Sequence, residues 1–281
     1  AYEIGVRLVG SEMCIRDRDG INKMEYAYKF TNAITRIPSK SVINGLRACD
    51  IGSPDLNQMI LDHQDYTSAL QEAGAKIIEL PPLEKYPDSL FVEDTTLCLP
   101  NVAILMRPGA PSRMGEVLEI EPIICEMFDN VVKILKPGLI EAGDILATGK
   151  EVLVGSSART NSEGIHQLRE ILSKWNYIVR EVCTPKEILH FKTDCSILGP
   201  ETILCTKRLE KTGCFSNYQV INTHDGEEAA ANAIRYNDTV IMPSGFPVTS
   251  SRIRDAGYSV REVNNSECAK LDGGMSCLSL R

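Results

Sequence analysis

Short apolar runs recur along the chain, and each is entered from a polar turn. Four of them read NVAILMRPG from Asn101, KEVLVGSSA from Lys150, PETILCTKR from Pro200 and NDTVIMPSG from Asn237, at spacings of 49, 50 and 37 residues. Such runs, rich in β-branched residues after a turn, are typical of buried strands. The runs TTLCL, AGDILAT and TDCSILG precede the first three, so each of these pairs predicts a β-hairpin.

Between the hairpins, apolar residues occur at helical spacing. This spacing predicts helices over residues 54–74 and 161–175. Gly74 is a typical helix stop, and Asn161 is a typical N-cap because its side chain can accept the free N–H groups of the first turn. The apolar-face positions are Leu56, Met59, Ile60, His63, Tyr66 and Leu70 in the first segment and Ile165, Leu168, Ile171 and Leu172 in the second.

The repeating unit is therefore a hairpin, a helix and a strand, over about 40–50 residues. Residues 24–281 are long enough for five units. We expect the last run, SCLSLR, to pair with TNAITRIPS near residue 31 and close a ring, because closure removes exposed sheet edges. The pattern predicts a single α/β domain over residues 24–281, since no long linker interrupts it, with a two-domain chain as the alternative.

Residues 1–23 do not fit this pattern. The stretch RLVGSEMCIRDR (residues 7–18) corresponds to the translation of a transposase adapter used to prepare sequencing libraries. We therefore expect residues 1–23 to be a non-native, adapter-derived tail and Met24 to be the native start. A genuine short polar arm is the alternative.

Composition narrows the choice of partners and compartment. The net charge of −8 argues against a nucleic-acid partner, which needs clustered Lys and Arg. It suits a cationic small molecule, although an acidic balance also serves solubility. No run approaches eighteen apolar residues, so no membrane span is predicted. Ten cysteines without a CxxC pair indicate a reducing compartment, hence the cytoplasm, and no disulfide framework.

Clusters of polar residues lie at the ends of the apolar strands, and in a ring of short sheets these ends converge on a central channel. The most informative pair is Cys277 and His190, because a thiolate is a strong nucleophile when a nearby cation lowers its pKa. Each residue taken singly is more often structural. The glycines before Cys277 would let the backbone approach a ligand closely. The clusters are YPDSLFVEDT, LIEAGDIL, LHFKTDC and LDGGMSC.

Seven segments in one order resemble the dimethylarginine dimethylaminohydrolase family of the pentein superfamily: NGLRA, YPDSLFVEDT, RPGAPSR, IEAGD, SARTN, LHFKTDCS and LDGGMSC. The resemblance covers roughly residues 30–281. It implies a pentein five-bladed α/β-propeller with pseudo-fivefold repeats. It also implies hydrolysis of asymmetric dimethylarginine or monomethylarginine to citrulline and a methylamine through a covalent thiouronium intermediate, with no cofactor and no metal.

The resemblance assigns roles to single residues. Cys277 would be the nucleophile, His190 the acid/base group, and Glu141 the carboxylate that orients the histidine. The implied substrate contacts are Asp94 and Asp272 with Glu93 beside them for the guanidinium, Asp88 for the α-amino group, Arg107 and Arg159 for the α-carboxylate, and Leu46 as a lid residue whose backbone carbonyl reaches the substrate.

Two features depart from the family pattern. Ala142 stands in IEAGD where a second glycine is expected, and the chain ends at Arg281, four residues after Cys277, where relatives usually continue. We therefore also expect a chain shortened at its C-terminus.

Three other interpretations stay open. The first is an arginine deiminase-like hydrolase of another guanidino amino acid, although deiminases of free arginine usually carry an inserted helical domain. The second is a non-catalytic pentein binding module. The third is a thiolate metal site that uses Cys277 and His190. The expected partner is a small guanidino amino acid, and the sequence is compatible with a homodimer.

Overall fold

The computed structural model describes residues 25–281, in which fourteen strands form five small sheets. The predicted adapter-derived tail, Cys14 and the predicted start at Met24 lie outside the described residues. The first sheet pairs β1 (Asn32–Arg36) in parallel with β2 (Lys76–Leu80). A 3-10 turn (Lys40–Asn44) and the helix α1 (Leu56–Glu72) connect these two strands.

The ends of α1 have clear local causes. The Asp55 side chain accepts hydrogen bonds from the backbone N–H groups of Asn57 and Gln58, which would otherwise lack partners in the first helical turn. Just after the helix, Gly74 has a φ of 95°, a conformation that glycine adopts without steric cost. The helix predicted over residues 54–74 is thus confirmed, with its stop where the sequence indicated.

The other four sheets share one pattern, in which a 3-10 turn leads into an antiparallel hairpin, a helix follows, and a last strand returns parallel to the second hairpin strand. In the second sheet the elements are the turn Val92–Thr95, β3 (Thr96–Leu99), β4 (Val102–Leu105), α2 (Glu116–Met127) and β5 (Val131–Lys133). In the third they are the turn Ala142–Asp144, β6 (Ile145–Ala147), β7 (Val152–Ser156), α3 (Ser162–Ser173) and β8 (Val179–Cys183).

The fourth and fifth sheets repeat this order. In the fourth the elements are the turn Phe191–Thr193, β9 (Cys195–Ile197), β10 (Thr202–Cys205), α4 (Lys207–Glu210) and β11 (Gln219–Asn222). In the fifth they are the turn Glu228–Ala231, β12 (Ile234–Tyr236), β13 (Thr239–Pro243), α5 (Pro247–Asp255) and β14 (Ser259–Val263), and the short α6 (Ser266–Ala269) follows. The three predicted hairpins are confirmed, as is the predicted strand after Asn237.

The C-terminal residues complete the first sheet. After a 3-10 turn at Ser276–Leu278, Leu280 pairs with Ile34 of β1 in an antiparallel bridge, with both N–H···O distances at 2.9 Å. The expected pairing of the last run with the first is confirmed. Its hydrogen bonds satisfy backbone groups that would otherwise face solvent at the edge of β1.

The hydrophobic core consists of five clusters, and each fills the space between two neighbouring sheets. Because the cluster between the last and the first sheet exists like the other four, the sheets form a closed ring of five blades. Representative pairs from neighbouring sheets are Ile34 with Leu105, Ile104 with Val152, Leu153 with Ile203, Leu204 with Val240, and Ile241 with Ala33.

The predictions about membrane spans and disulfides can be compared with the structure of residues 25–281 only. No helix between residues 25 and 281 combines the length and the apolar character needed to cross a membrane. The nine cysteines of this region are all free thiols.

Candidate active site

The 3-10 turns that lead into the hairpins bring polar residues of different sheets together. Asp94 belongs to the turn before β3, His190 directly precedes the turn before β9, and Cys277 lies in the turn before the C-terminal pairing with β1. All three line one pocket of about 150 Å³. Four more predicted site residues line the same pocket: Leu46, Asp88, Arg159 and Asp272.

Glu141 lies behind His190 and is completely buried. Its Oε2 atom is 2.6 Å from His190 Nε2, and its Oε1 atom accepts the Ala110 N–H at 3.1 Å. On the other side, Asp144 accepts the backbone N–H of Phe191 at 2.9 Å and so holds the turn that carries the histidine. Glu141 therefore orients the imidazole directly, and Asp144 holds the backbone next to His190.

The charge state of His190 follows from these neighbours. Burial opposes protonation, but the negative charges of Asp94, Glu141 and Asp144 outweigh it and raise the pKa of His190 to about 9. The group is therefore an imidazolium at neutral pH and can act as a proton donor.

Asp94 is held as an ionised carboxylate. Its Oδ1 atom accepts the Gly143 N–H at 3.0 Å, and its Oδ2 atom accepts a hydrogen bond from Arg113. Burial favours the neutral acid, but the positive charges of His190 and Arg113 outweigh it and lower the pKa of Asp94 to about 2. The pocket thus has one wall with a fixed negative charge.

The arginines differ from the prediction. Arg159 lines the pocket, with its guanidinium 3.4 Å from Glu141. Arg107 does not: it donates to the Gly138 carbonyl and borders a separate cavity beside α2. The pocket is also lined by Arg47, which donates to the Ile43 and Gly52 carbonyls, and by Arg113, from the same RPGAPSR segment as Arg107 and buried between Asp94 and Glu116. Arg113 is distinguished from Arg107 by its contacts with Asp94 and Glu116, and these contacts exist only in the folded chain.

The turn that carries Cys277 is tightly packed. A Cβ atom on Gly273 would lie 2.3 Å from the Phe91 ring, and one on Gly274 would lie 2.2 Å from the Asn232 side chain. Packing against these neighbours therefore requires both glycines, and Gly273 also lines the pocket, where its close approach to a ligand stays a prediction. The Gly274 N–H also points to Cys277 Sγ, at 3.4 Å.

Cys277 is a neutral thiol in this structure. Burial, together with the negative charges of Glu93 and Asp94, raises the pKa of the Cys277 thiol to about 12. The Gly274 N–H and the Lys192 ammonium act in the opposite direction but do not prevail. A further positive charge in the pocket would lower this pKa.

Two carboxylates hold the loop that covers the pocket. Asp88 accepts the Leu46 N–H at 2.8 Å, and Asp272 accepts the Ala48 N–H at 2.6 Å. The Leu46 side chain is 40% exposed, so this loop forms an outer wall. A larger cavity of about 1070 Å³ shares Ala48, Asp272 and two other residues with the pocket, so the pocket opens into a wider space.

Glu93 does not line the pocket, in contrast to its predicted place beside the guanidinium. Its carboxylate is engaged by Lys192, Ser276 and Arg281. Glu93 and Asp94 are consecutive residues in a 3-10 turn, so their side chains leave the turn in different directions.

Asp94, Glu141 and His190 are the residues that could hold a metal ion. Among residues 25–281 they form the group of three whose ligand atoms lie within 4.8 Å of one another. Cys277 is not part of this group, so the metal site considered with Cys277 and His190 is not assembled. Internal hydrogen bonds already use the Glu141 and Asp94 oxygens.

Comparison with known proteins gives consistent results. The arginine deiminase family matches residues 83–242. The N(G),N(G)-dimethylarginine dimethylaminohydrolase of Pseudomonas aeruginosa is 40% identical over 253 residues, which cover 90% of this chain and 99% of that enzyme. Its counterpart in Streptomyces coelicolor is 30% identical over 253 residues, covering 89% and 96%.

Solved structures agree. A cysteine-to-serine variant of the Pseudomonas aeruginosa enzyme in complex with citrulline superposes with a TM-score of 0.88 at 40% identity, over 90% of this chain and 100% of that one. The pentein five-bladed α/β-propeller expected from the sequence is thus confirmed. With that fold and identity over nearly the full length of an enzyme of known activity, the chain is a hydrolase that belongs to the dimethylarginine dimethylaminohydrolase family.

Proposed function

We propose that this enzyme hydrolyses N-omega-methylated arginine to citrulline and a methylamine, with Cys277 as nucleophile. The observation that carries the proposal is the meeting of a thiol, an imidazolium and fixed carboxylates in one pocket. A guanidinium is a planar cation and a poor electrophile, so it needs charge-assisted hydrogen bonds and a strong nucleophile. The proposal adds cysteine chemistry and a substrate to the family membership.

The pocket offers partners for each end of the substrate. Asp94, ionised and buried, and Asp272 would bind the guanidinium. Asp88, with the backbone carbonyl of Leu46, would bind the α-amino group. Arg159 would bind the α-carboxylate, and Arg113, which like Arg47 and Arg159 lines the pocket, takes the place assigned to Arg107. Arginine suits this role because its planar fork matches a carboxylate.

Substrate binding would activate the nucleophile. The Cys277 thiol is neutral in the free pocket, where nearby carboxylates oppose its ionisation. A bound guanidinium places a positive charge beside the sulfur, which lowers the thiol pKa and releases its proton to solvent. The thiolate then forms a bond to the guanidinium carbon, and a tetrahedral adduct results.

His190 would move the protons of the next two steps. The departing amine is a poor leaving group unless protonated, and the His190 imidazolium supplies that proton as the C–N bond breaks. The neutral His190 then takes a proton from water, which attacks the thiouronium carbon. Collapse of the second adduct breaks the C–S bond and releases the hydroxyl proton to solvent, yielding citrulline and the Cys277 thiolate. Glu141 orients the imidazole throughout.

The test is product identification. The purified protein and its Cys277→Ser variant are incubated with asymmetric dimethylarginine and, separately, with arginine, and products are identified by mass spectrometry. We expect citrulline and dimethylamine from the wild type only, and a His190→Ala variant slowed by about 100- to 10,000-fold. Citrulline and ammonia from arginine alone would favour the deiminase interpretation. Turnover by Cys277→Ser at the wild-type rate would refute the nucleophile.

Two further properties belong to this proposal. We place the enzyme in a reducing compartment, the cytoplasm, because the nine cysteines of residues 25–281 carry no disulfide. The substrate, a small guanidino amino acid, is the proposed partner, and a homodimer stays a prediction.

A further inference from the structure

A buried ion pair joins the histidine turn to the turn before β3. Lys192 lies two residues after His190, and its Nζ atom is 2.5 Å from Glu93 Oε1. The two side chains are only 12% and 4% exposed. Because taking two charges out of water costs free energy that their attraction offsets only in part, such a pair contributes little to stability.

The same carboxylate reaches the turn of the nucleophile. Glu93 Oε2 accepts a hydrogen bond from the Ser276 hydroxyl at 2.8 Å, and Ser276 immediately precedes Cys277. Arg281 adds a contact of 3.3 Å to Glu93 Oε1 and donates to the Ser276 carbonyl at 3.2 Å. Lys192, Glu93 and Ser276 therefore form a chain of contacts, here called the Lys192 chain, that ends beside the reactive sulfur.

The Lys192 chain lies outside the substrate pocket. Glu93, Lys192 and Arg281 line a separate cavity of about 100 Å³, and that cavity shares no lining residue with the pocket of Cys277. A substrate in the pocket is thus not expected to touch Lys192. Any effect of this lysine on the reaction must act through its neighbours.

We propose that Lys192 is a positioning residue which sets the reactivity of Cys277, by neutralising Glu93 and by fixing the Ser276 turn through it. The proposal rests on the proposed role of Cys277 as nucleophile. Without Lys192, only the more distant Arg281 would neutralise the Glu93 charge, and this charge would oppose formation of the Cys277 thiolate more strongly. With Lys192 in place, less free energy is needed to ionise the Cys277 thiol when the substrate cation binds.

The surroundings of Cys277 are consistent with this role. Among the charged groups, Glu93 opposes ionisation of the Cys277 thiol most strongly, and Lys192 favours that ionisation. Asp94 acts against it as well, from the pocket side. The other titratable or charged groups that face the nucleophile turn from packed elements are Arg47, Tyr66, Asp88, Arg113, Arg159, His190, Cys268, Asp272 and Arg281.

The experiment measures alkylation of Cys277 by iodoacetamide in the substrate-free protein at fixed pH, with mass spectrometry of the peptide that carries Cys277 and Cys277→Ser as the blank. One unit of thiol pKa changes the thiolate fraction tenfold, and the accompanying change in nucleophilicity offsets part of this, leaving roughly threefold in rate. We expect Lys192→Met to slow alkylation at least threefold and Glu93→Gln to accelerate it at least threefold.

Controls separate charge from structure. The double variant Lys192→Met/Glu93→Gln should return towards the wild-type rate, and Lys192→Arg should keep it. Lys150→Met, which breaks a surface pair with Glu201, is the matched control and should leave the rate unchanged. With substrate, Lys192→Met should lower kcat more than it raises KM, since the side chain makes no substrate contact.

Alkylation rates that change in the same direction in Lys192→Met and Glu93→Gln would overturn the proposal. If the ion pair were only structural, removing either partner would disturb the site in the same way. An unchanged rate in Glu93→Gln alone would also overturn it, even if Lys192→Met failed to fold. The alkylation readout needs no turnover. A protein that shows the expected alkylation pattern but makes no citrulline would refute the proposed function and leave the role of Lys192 intact.

Discussion

Gly143 lies where the side chains of Asp94 and His190 meet. A Cβ atom at this position would be 2.7 Å from Asp94 Oδ1 and 2.8 Å from His190 Nδ1, closer than real Cβ contacts. We expect Gly143→Ala to displace both groups and to lower kcat at least a hundredfold, because small misplacements of catalytic groups cost this much. Steady-state kinetics on a variant with native circular dichroism would check it.

Ala142 provides the matched control for this glycine. Ala142→Gly restores the glycine expected in this motif and removes only one methyl group from the hydrophobic core. Its kcat should stay within a few fold of the wild type, at a stability cost of about 1 kcal/mol. Equal losses of kcat in both variants would show that the turn, and not the close approach at Gly143, controls the site.

The raised pKa of His190 predicts a dependence of stability on pH. Folding favours the protonated imidazole, with a pKa of about 9 against 6.5 for the unperturbed group. The stabilisation is therefore complete below about pH 6.5 and is lost as the pH rises through 9, by on the order of 3 kcal/mol. Urea unfolding between pH 6 and 9 should show this fall in the wild type, and a flatter profile in His190→Asn.

A different outcome of that titration would be informative. If His190→Asn and the wild type lost the same stability between pH 6 and 9, folding would not raise the pKa of His190, and the imidazole would be mostly neutral above pH 7. The proton for the leaving amine would then have to come from another group.

The N-terminus of α3 connects local structure to the site. The Asn161 side chain accepts hydrogen bonds from the N–H groups of Gly164 and Leu139, and it donates to the Pro137 carbonyl. It therefore caps the helix and also holds the segment that leads to Glu141. We expect Asn161→Ala to destabilise the protein by about 1–2 kcal/mol in urea unfolding.

Asn161→Asp tests which of these contacts matters. An aspartate keeps the acceptor for both N–H groups and loses the donor to Pro137. It should retain most of the stability, because an ionised acceptor at a helix N-terminus is favourable. A loss as large as that of the alanine variant would assign the effect to the Pro137 contact.

Helices differed in how well the pattern indicated them. The segments 54–74 and 161–175 agree with α1 and α3 to within two residues at each end, because apolar spacing and caps act between near neighbours. No such pattern was identified for α2, which carries Pro122 inside it. A proline removes one backbone hydrogen bond and disfavours a helix locally, so packing against the second sheet must stabilise this one.

Closure of the ring depends on a few residues at the C-terminus. The Leu280 side chain is 3% exposed, within the cluster between the first and second sheets. We expect Leu280→Ala to cost about 2–4 kcal/mol in urea unfolding, since it leaves a cavity at the only strand pairing between the two ends of the described chain. Leu118→Ala, at a position 67% exposed, is the control and should cost less than about 0.5 kcal/mol.

The same pair of variants tests whether closure is a global property. If Leu280→Ala unfolds in one transition with a lower midpoint, the five blades melt together. A separate early transition, with the remaining blades intact, would show that the ring opens locally at the first sheet.

The sequence pattern by itself determined the repeating units and the pairing of the two chain ends, and the resemblance to a known family implied seven of the residues that line the pocket. Hydrophobic periodicity and turn residues act over a few positions, so they can be read along the chain. The motifs around Cys277, His190 and Asp94 each lie beside a strand end, and the propeller brings these three residues into one pocket.

Only the tertiary structure decided between polar residues that are close in sequence. Arg107 and Arg113 share one segment, and Glu93 and Asp94 are consecutive, yet in each pair only the second residue enters the pocket. The neutral state of the Cys277 thiol likewise depends on burial and on charges at positions 93, 94 and 192, at least 85 residues away along the chain. Desolvation and Coulomb interactions act through space, so the fold had to bring these groups together before their effect could be known.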